Sequence, residues 1–319
     1  MKTYNNLFPE IIFFDNIHLA YLKAKKNKKY KPDILSFFAN LTHNLLEIKQ
    51  EIEKETYVHG KYKEFIVNDS KKRKIRAPSF KDRVVHHALC IVIAPIFEKG
   101  FIYNSYACRN EKGSHKAIKK LRSYLKNKNN IYCFQCDISK YFDSVDHDIL
   151  INIIKKKIWC QKTINLVLKI IDSFNKDTGI GIPIGNLTSQ LFANIYLNEL
   201  DQFVSRELKQ GHYVRYMDDF LILGPNKKDL HRLRIVVEQF LKDKLKLKMN
   251  PKKVNIFPCS KGIDFLGYIV FKDYILLRKS TIKRFIKKIK KMKEGTVKKA
   301  WLAYAKHANS YSLSKKLFG

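Results

Sequence analysis

Three aspartates stand at positions where a carboxylate is costly. Asp137 closes the apolar stretch 130–137, and Asp218 and Asp219 lie together between two apolar and aromatic stretches. Like charges held close together repel each other and raise the pKa of one partner. An aspartate pair at a turn is often ordinary turn chemistry, but a bound divalent cation would also remove the conflict. Hard oxygen ligands suit Mg²⁺, and two such ions can activate a hydroxyl and stabilise a leaving pyrophosphate.

These aspartates require strands and a tight turn to hold them. The residue pattern predicts a strand over 130–137 and a hairpin over 212–223, with the aspartate pair at its tip. Residues 57–77 predict a second hairpin. Three- and four-residue spacing of apolar side chains predicts helices elsewhere, with Asp33 and Asp146 as N-caps. The predicted helices cover residues 33–55, 82–99, 146–176, 187–207, 227–243 and the tail from Ser280.

The chain is strongly basic. Its 63 Lys and Arg against 29 Asp and Glu give a formal net charge of +34 over 319 residues. A polyanion would relieve this self-repulsion, and neutralising phosphates releases condensed counterions, so nucleic acid is the expected partner. A membrane surface is the competing interpretation. No apolar run approaches the roughly 20 residues needed to span a bilayer, so no membrane partner is expected.

The N-terminus and the cysteines indicate a reducing compartment. Residues 1–14 lack the apolar core and the cleavage site of a signal peptide, so we expect the chain in the cytoplasm. Six cysteines fit reduced thiols there. Cys133 and Cys136 form a lone C-x-x-C. Without a second pair or a histidine at zinc spacing, a buried strand explains them better than a metal or redox site does.

Two segments resemble the catalytic motifs of reverse transcriptases. Residues 216–219 read Tyr-Met-Asp-Asp, and the stretch beginning at Asp137 matches the family pattern D-[IL]-x-x-[YF]-F-D-x-[IV]. The flanking sequence is similar to the group II intron, retron and retroelement branch of the family. The resemblance implies that two Mg²⁺ ions, or Mn²⁺ as the alternative, are held by Asp137, the carbonyl of Ile138, Asp218 and Asp219. The second aspartate of the pair is expected to contribute least directly.

The same resemblance implies how an incoming deoxynucleoside triphosphate is bound. Phe142 is implied to be the steric gate, whose packed ring leaves no room for a ribonucleotide 2′-hydroxyl; the alternative is a core position. Arg73 would grip the triphosphate, since a planar guanidinium can bind phosphate oxygens bidentately. Ile75 would lie near the templating base. Arg83, at a helix start, would contact the template strand.

Further residues are implied to take part in catalysis or to contact the template RNA and the RNA/cDNA duplex. Lys253 aligns with the family's lysine that assists pyrophosphate departure as a proton donor, although Lys252 is an adjacent alternative. Gly267 lies in a primer-grip turn, where glycine allows close backbone approach. The remaining implied contacts are Tyr216 and Met217 of the catalytic motif and Lys287 and Lys291 of the final basic helix.

The segment 182–190 narrows the resemblance. Most reverse transcriptases have Q-G-x-x-x-S-P here, whereas this chain has Ile184 before Gly185 and Gln190 in place of the proline. This form is similar to reverse transcriptases of diversity-generating retroelements. It implies these three residues at the nucleotide site and error-prone copying of a template-repeat RNA at adenines, with a small helical accessory variability protein as partner. Ile184 offers only an apolar surface, which discriminates nucleotides less than a polar contact does.

The expected fold is α+β, a right-hand polymerase with fingers, a palm and a short helical thumb. The expected domains are an N-terminal helical extension over 1–50, fingers over 51–125, a palm over 126–275 with a fingers insertion at about 150–180, and a thumb over 276–319. Two alternatives remain open. One is a retron, group II-like or antiphage-defence reverse transcriptase. The other is a non-catalytic RNA-binding scaffold, against which the clustered carboxylates argue.

Overall fold

The computed structural model describes residues 2–68, 72–289 and 294–318. The chain divides into two compact units, each built from segments that are far apart in sequence. The first unit comprises residues 1–102, 139–202 and 240–248, and the second comprises residues 103–138, 203–239 and 249–319. Helices and antiparallel sheets are both present, which confirms the predicted α+β class.

The elements follow each other along the chain as helices interrupted by short strands. The helices are α1 (Phe8–Ile12), α2 (Phe14–Lys25), α3 (Pro32–Ala39), α4 (Leu41–Glu53), α5 (Phe80–Glu98), α6 (Ser114–Leu125), α7 (His147–Lys155), α8 (Gln161–Asp172), α9 (Leu187–Gln202), α10 (Lys227–Leu245), α11 (Lys279–Ile289), α12 (Glu294–Ala305) and α13 (Tyr311–Phe318). The strands are β1 (Lys63–Asn68), β2 (Lys72–Ala77), β3 (Tyr132–Asp137), β4 (Tyr213–Tyr216), β5 (Asp219–Gly224), β6 (Asn255–Pro258), β7 (Ile263–Phe265), β8 (Tyr268–Val270) and β9 (Ile275–Leu277).

The first unit is mainly helical, and its core is built around α5. That helix carries apolar residues on nearly every side, and Val84, Ala88, Leu89 and Ile93 are completely buried. A helix that is apolar all round must be enclosed by other elements. Accordingly, α5 packs against α2 and α9.

The first unit also contains the predicted hairpin of β1 and β2. The strands pair antiparallel, with Val67 opposite Arg73. All six side chains of β1 are exposed, so burial contributes little to this hairpin. Its ladder is supported by the carboxylate of Glu64, which forms ion pairs with Lys74 and Arg76.

The first predicted helix differs from the structure at both its start and its middle. The helix expected over 33–55 is split at Asn40, whose backbone leaves the helical region at φ −123° and ψ 45°. The N-cap assigned to Asp33 is wrong, because Pro32 already occupies the first turn and no side chain caps the helix. Proline suits that position because it lacks the N–H that a cap would satisfy. The Asp146 cap is confirmed, since its Oδ1 accepts from the Ile149 N–H at 3.0 Å.

Two other predicted α-helices are not continuous over their expected ranges. The one expected over 146–176 is interrupted between α7 and α8, where the backbone pairs with the N-terminus instead: the Tyr4 N–H donates to the Lys157 carbonyl and the Trp159 N–H donates to the Tyr4 carbonyl. The one expected over 187–207 is α-helical only to Gln202 and closes in a wider π-turn. Apolar spacing alone does not reveal either break.

A four-stranded antiparallel sheet in the order β4-β5-β3-β6 organises the second unit. Its inner strands β3 and β5 are almost wholly buried. Cys133 and Cys136 lie on β3 as buried free thiols, as the strand interpretation predicts. The sheet therefore gives the aspartates at the ends of β3 and β5 a firm apolar support.

The rest of the second unit shares one apolar core with this sheet, to which the sheet contributes Cys133, Val214, Leu221 and Leu223. The sheet β7-β8-β9 and the helices α6 and α12 contribute to it, and Trp301 at its centre is completely buried. No helix within the described ranges is both long enough and apolar enough to cross a membrane.

Candidate active site

The strand register brings two of the predicted aspartates together. Asp137, the last residue of β3, lies directly opposite Asp219, the first residue of β5. Side chains of directly opposed residues project from the same face of an antiparallel pair. Asp218 precedes Asp219, and its carbonyl accepts a hydrogen bond from the Ile138 N–H at 3.2 Å. All three aspartates therefore lie at one edge of the sheet in the second unit.

The charged side chains around Asp219 shift the pKa of its carboxyl. The pKa of the Asp219 carboxyl is raised to about 7, first by burial and then by the negative charges of Asp137 and Asp218, while Lys253 opposes the shift. This is the electrostatic conflict that the sequence predicts for clustered carboxylates. A cation at this edge would favour the ionised form.

A turn after α10 holds Asp137 from the other side. The Asn250 N–H donates to the Asp137 carbonyl at 2.8 Å, and its side-chain amide donates to the Asp137 carboxylate at 3.1 Å. The Lys253 ammonium forms an ion pair with the other carboxylate oxygen. Lys252 is exposed, and its backbone N–H donates to the Asn250 Oδ1 at 3.2 Å. Of the two candidate lysines, the structure therefore brings Lys253 to the aspartates.

The Lys253 ammonium is the cation that the described structure places among these carboxylates. Burial lowers the pKa of Lys253, but the bond to Asp137 and the charges of Asp219 and Asp218 outweigh that effect and raise it. Within residues 2–68, 72–289 and 294–318, no three His, Cys, Asp or Glu side chains form a ready set of metal ligands. Asp137, Asp218 and Asp219 are therefore neighbours, and the Lys253 ammonium offsets only part of their repulsion. The three aspartate carboxylates and the Ile138 carbonyl, which the resemblance implies as ligands, supply the hard oxygen atoms that Mg²⁺ or Mn²⁺ prefers.

Arg215, which the sequence did not single out, supports the turn at Met217 and Asp218. Its side chain is completely buried on β4. One guanidinium nitrogen donates to the Met217 carbonyl at 2.9 Å and another donates to the Ser105 hydroxyl at 3.2 Å. Met217 has a positive φ of 57° at the first position of a two-residue hairpin loop, where glycine is usual. The guanidinium therefore fixes a strained backbone directly before Asp218.

With nucleotide addition as the activity expected from the sequence, we predict that Arg215→Lys lowers its turnover rate about tenfold. Hydrogen bonds to charged groups contribute about 1.5–3 kcal/mol, and lysine cannot reproduce the rigid fork that reaches two acceptors. The KM for the nucleotide should stay within twofold, because the Arg215 side chain is completely buried and not available to a ligand. Steady-state primer extension gives the turnover rate and the KM, and thermal melting checks that the variant is folded.

Arg109→Lys is the matched control for this prediction. Its guanidinium donates to the Ser105 carbonyl at 2.8 Å in the same segment. We expect it to keep the parental turnover rate. Parental turnover by Arg215→Lys would show that Arg215 does not position the turn.

The first unit brings together several residues predicted to bind the nucleotide. The Arg76 N–H on β2 donates to the Ile184 carbonyl at 3.0 Å. A Cβ added at Gly185, where φ is +120°, would lie 2.8 Å from the Ile75 side chain, so only glycine fits there without displacement. The hairpin and the Ile184–Gly185 segment thus form one surface. Arg73 lies on the same strand as Ile75 with an exposed side chain.

Three other predicted residues also lie in the first unit. Phe142 is half-buried, and its backbone carbonyl accepts from the Ile182 N–H at 2.8 Å; its neighbour Tyr141 is the core residue. Arg83 forms an ion pair with Asp33. Gln190 lies in the first turns of α9, half-exposed.

The residues of the second unit that were predicted to contact nucleic acid differ in their exposure and in their neighbours. Gly267 has a φ of +89°, and a Cβ there would collide with the Tyr304 hydroxyl. Tyr216 and Met217 are half-buried beside the aspartates, and Lys287 is exposed on α11. Lys291 lies outside the described residues.

A protein-family model fits this chain over most of its length. The family described as reverse transcriptase (RNA-dependent DNA polymerase) matches residues 52–270. The match includes all three aspartates, Lys253 and the Ile184–Gly185 segment. It leaves out α1 to α3, most of α4, and the helices after β9.

Curated relatives are similar at lower identity. The chain is 28% identical to Protein YkfC of Escherichia coli (strain K12), in an alignment covering 63% of this chain and 64% of that protein. It is 25% identical to Group II intron-encoded protein LtrA of Lactococcus lactis subsp. cremoris, covering 91% of this chain and 59% of that protein. The chain thus spans less than two thirds of the length of either relative.

A solved structure shares the fold. The apo telomerase of Candida tropicalis superposes with a TM-score of 0.51 at 14% identity, covering 67% of this chain and 48% of that chain. Identity this low shows a likeness of fold alone. The likeness is consistent with the right-hand polymerase fold expected from the sequence.

Proposed function

Because the chain belongs to the reverse transcriptase family, the RNA-dependent DNA polymerases, we propose that it extends a DNA primer on an RNA template. The observation that carries the proposal is the cross-strand pair of Asp137 and Asp219 beside Asp218. A scaffold that only binds RNA gains nothing from three aspartates at one sheet edge. Their mutual repulsion would instead destabilise it.

Each residue at this edge has a part in the proposed reaction. Divalent ions bound to the carboxylates would activate the primer hydroxyl and stabilise the leaving pyrophosphate. The Asn250 amide orients the Asp137 carboxylate through its hydrogen bond. Lys253 holds its proton on Nζ beside that carboxylate, where it can serve as the acid for the leaving group.

Primer extension tests the proposal directly. The full chain is incubated with an RNA template, an annealed DNA primer, all four deoxynucleoside triphosphates and Mg²⁺ or Mn²⁺. We expect template-directed elongation that EDTA abolishes. An absence of elongation with either metal, on several primers, would contradict the proposed activity.

Within the family we propose the diversity-generating retroelement type, which copies a template-repeat RNA with errors at adenines. The Ile184-Gly-Asn-Leu-Thr-Ser-Gln sequence supports this choice. The similarity to Group II intron-encoded protein LtrA supports the group II-like alternative. Genome context separates the two: a nearby pair of repeats that differ only at adenines of one copy fits the retroelement, and a surrounding group II intron fits the alternative.

Ile184→Gln should lower misincorporation opposite template adenine about tenfold. The backbone at this position is already held by β2 through the Ile184 carbonyl, so the change alters only a half-exposed side chain. A glutamine adds a polar contact, and one hydrogen bond of about 1 kcal/mol or more changes selectivity by roughly tenfold per 1.4 kcal/mol. Sequencing of cDNA made on one defined template measures the error rate.

Ile180→Gln is the control, because it separates the effect of a glutamine side chain from the effect of its position. It introduces the same side chain at an exposed site on the loop before Ile184. Its error spectrum should match that of the parent. Equal adenine error rates for Ile184→Gln and the parent would refute the role given to Ile184.

A further inference from the structure

The start of α5 carries a buried aspartate that the proposed reaction does not use. Asp82 lies in the first turn of that helix and is 2% exposed. Ser79 caps the helix, because its hydroxyl accepts from the Asp82 N–H at 3.1 Å. A buried carboxylate is costly unless hydrogen bonds or charges satisfy it. The partners of the Asp82 carboxylate therefore indicate what this residue holds in place.

Both ends of the β1–β2 hairpin are joined to this carboxylate. On the segment before β1, the Gly60 N–H donates to the Asp82 Oδ2 at 3.2 Å, and the Tyr57 hydroxyl donates to Oδ1 at 2.7 Å. On the segment after β2, the Ser79 hydroxyl donates to Oδ2 at 2.6 Å. Asp82 thus connects the incoming and the outgoing segment of the hairpin to α5.

The Asp82 carboxylate is held in its charged form. Burial raises the pKa of Asp82, but the Ser79 hydroxyl, the nearby His59 ring and the bonds from Tyr57 and Gly60 outweigh burial and lower the pKa. Hydrogen bonds with an ionised partner are roughly twice as strong as neutral ones. A Cβ added at Gly60 would lie 3.0 Å from Oδ2, so the segment before β1 approaches the carboxylate closely.

The hairpin depends on hydrogen bonds at its base for its position. All six side chains of β1 are exposed, so burial contributes little to holding it. The Arg76 N–H donates to the Ile184 carbonyl at 3.0 Å, and the Tyr62 and Ser173 hydroxyls share a hydrogen bond of 2.7 Å. Compared with these two bonds, those to Asp82 have the advantage of an ionised acceptor.

We propose that Asp82 is a positioning residue for nucleotide binding, which holds the β1–β2 hairpin where Arg73 and Ile75 meet the incoming deoxynucleoside triphosphate. The inference rests on the proposed function and on the nucleotide contacts predicted for Arg73 and Ile75. Asp82 is buried and acts through the hairpin. When only a fraction of the molecules hold the hairpin in its binding position, the apparent affinity for the nucleotide falls by that fraction. The complexes that do form react as before.

Asp82→Asn separates this role from general damage to the fold. The amide keeps the size of the carboxyl but loses its charge and one of its acceptor oxygens. In steady-state primer extension by the full chain, we expect the KM for the nucleotide to rise about tenfold and the turnover rate to stay within about twofold. A loss of folded molecules would instead lower the apparent turnover rate and leave the KM unchanged. That pattern would overturn the proposal.

Tyr57→Phe is a milder second variant, because it removes one donor to Asp82 and keeps the buried ring. It should raise the same KM about threefold. The matched controls are Asp146→Asn and Tyr21→Phe. Asp146 is a buried aspartate at the start of α7 that pairs with Lys246, and Tyr21 is a buried tyrosine of α2 whose hydroxyl accepts from Lys25. Both controls should keep the parental KM, and an equal rise in controls and test variants would overturn the role of Asp82.

Hydrogen exchange of the free chain tests the hold on the hairpin without any reaction. The amides of β1 and β2 should exchange about tenfold faster in Asp82→Asn than in the parent, because local opening governs exchange. The amides of α7, in the same unit, should exchange as in the parent. Unchanged exchange in the hairpin would overturn the hold, and faster exchange with an unchanged KM would overturn the link to the nucleotide. A parent chain that elongates no primer would contradict the proposed function instead, and exchange would still decide whether Asp82 holds the hairpin.

Discussion

Asp218→Asn should lower primer extension at least about 10³-fold, while the protein folds as before. Metal-assisted charge stabilisation amounts to several kcal/mol, and each 1.36 kcal/mol is tenfold in rate. The amide keeps the size of the carboxyl but removes its charge. The Asp218 charge also raises the pKa of Asp219, so its removal relieves repulsion. The melting temperature should therefore be unchanged or higher.

Two comparisons make the Asp218 result specific. Asp229→Asn removes a carboxylate from an exposed position on α10 and should retain parental activity. Asp219→Asn should lose activity by a smaller factor than Asp218→Asn or Asp137→Asn, in keeping with the lesser role expected for the second aspartate. Primer extension over a range of Mg²⁺ concentrations measures the activity of the four variants and of the parent. More than a tenth of parental activity in Asp218→Asn would contradict the catalytic assignment.

The local parts of this site were predictable from the sequence. Asp137 at the end of an apolar stretch predicts a strand ending in a carboxylate, and the structure has β3 ending there. The aspartate pair between two apolar arms predicts the hairpin of β4 and β5, which is observed. These predictions succeed because alternation, apolar composition and turn residues act over a few neighbouring residues. The register that opposes Asp137 and Asp219 joins segments about eighty residues apart and was not predicted, since the family resemblance implied only that these aspartates hold the same metal ions.

The parts that the sequence did not predict depend on contacts between distant segments. Arg215 is held at Ser105, and the Arg215 N–H donates to the Asn104 carbonyl. Periodicity of β4 gives no indication of that partner. One signal was available: an arginine in the middle of a short apolar strand must be buried with partners or mark an exposed edge. The partner of Asp33 was likewise not predictable, because its carboxylate pairs with Arg83 fifty residues away.

Lys253 links the two aspects of this site, its charge balance and its chemistry. Its ammonium neutralises Asp137 in the structure, and the same group is the proposed proton donor to pyrophosphate. These roles make different demands. Charge balance requires only a cation, which arginine also provides. Proton donation requires a group that can lose its proton, and arginine remains protonated in proteins.

We therefore predict that Lys253→Arg and Lys253→Met both reduce turnover about 10²-fold or more, the range of general acid catalysis. They should differ in their metal dependence. Methionine removes the cation that competes for Asp137, so half-saturation should occur at a lower Mg²⁺ concentration than in the parent. Arginine keeps that cation, so half-saturation should stay near the parental value. Lys252→Met, at the exposed neighbour, should change neither quantity. Parental turnover by Lys253→Arg would leave Lys253 a purely electrostatic role, and an unchanged metal requirement in Lys253→Met would show that its ammonium does not compete with the ion.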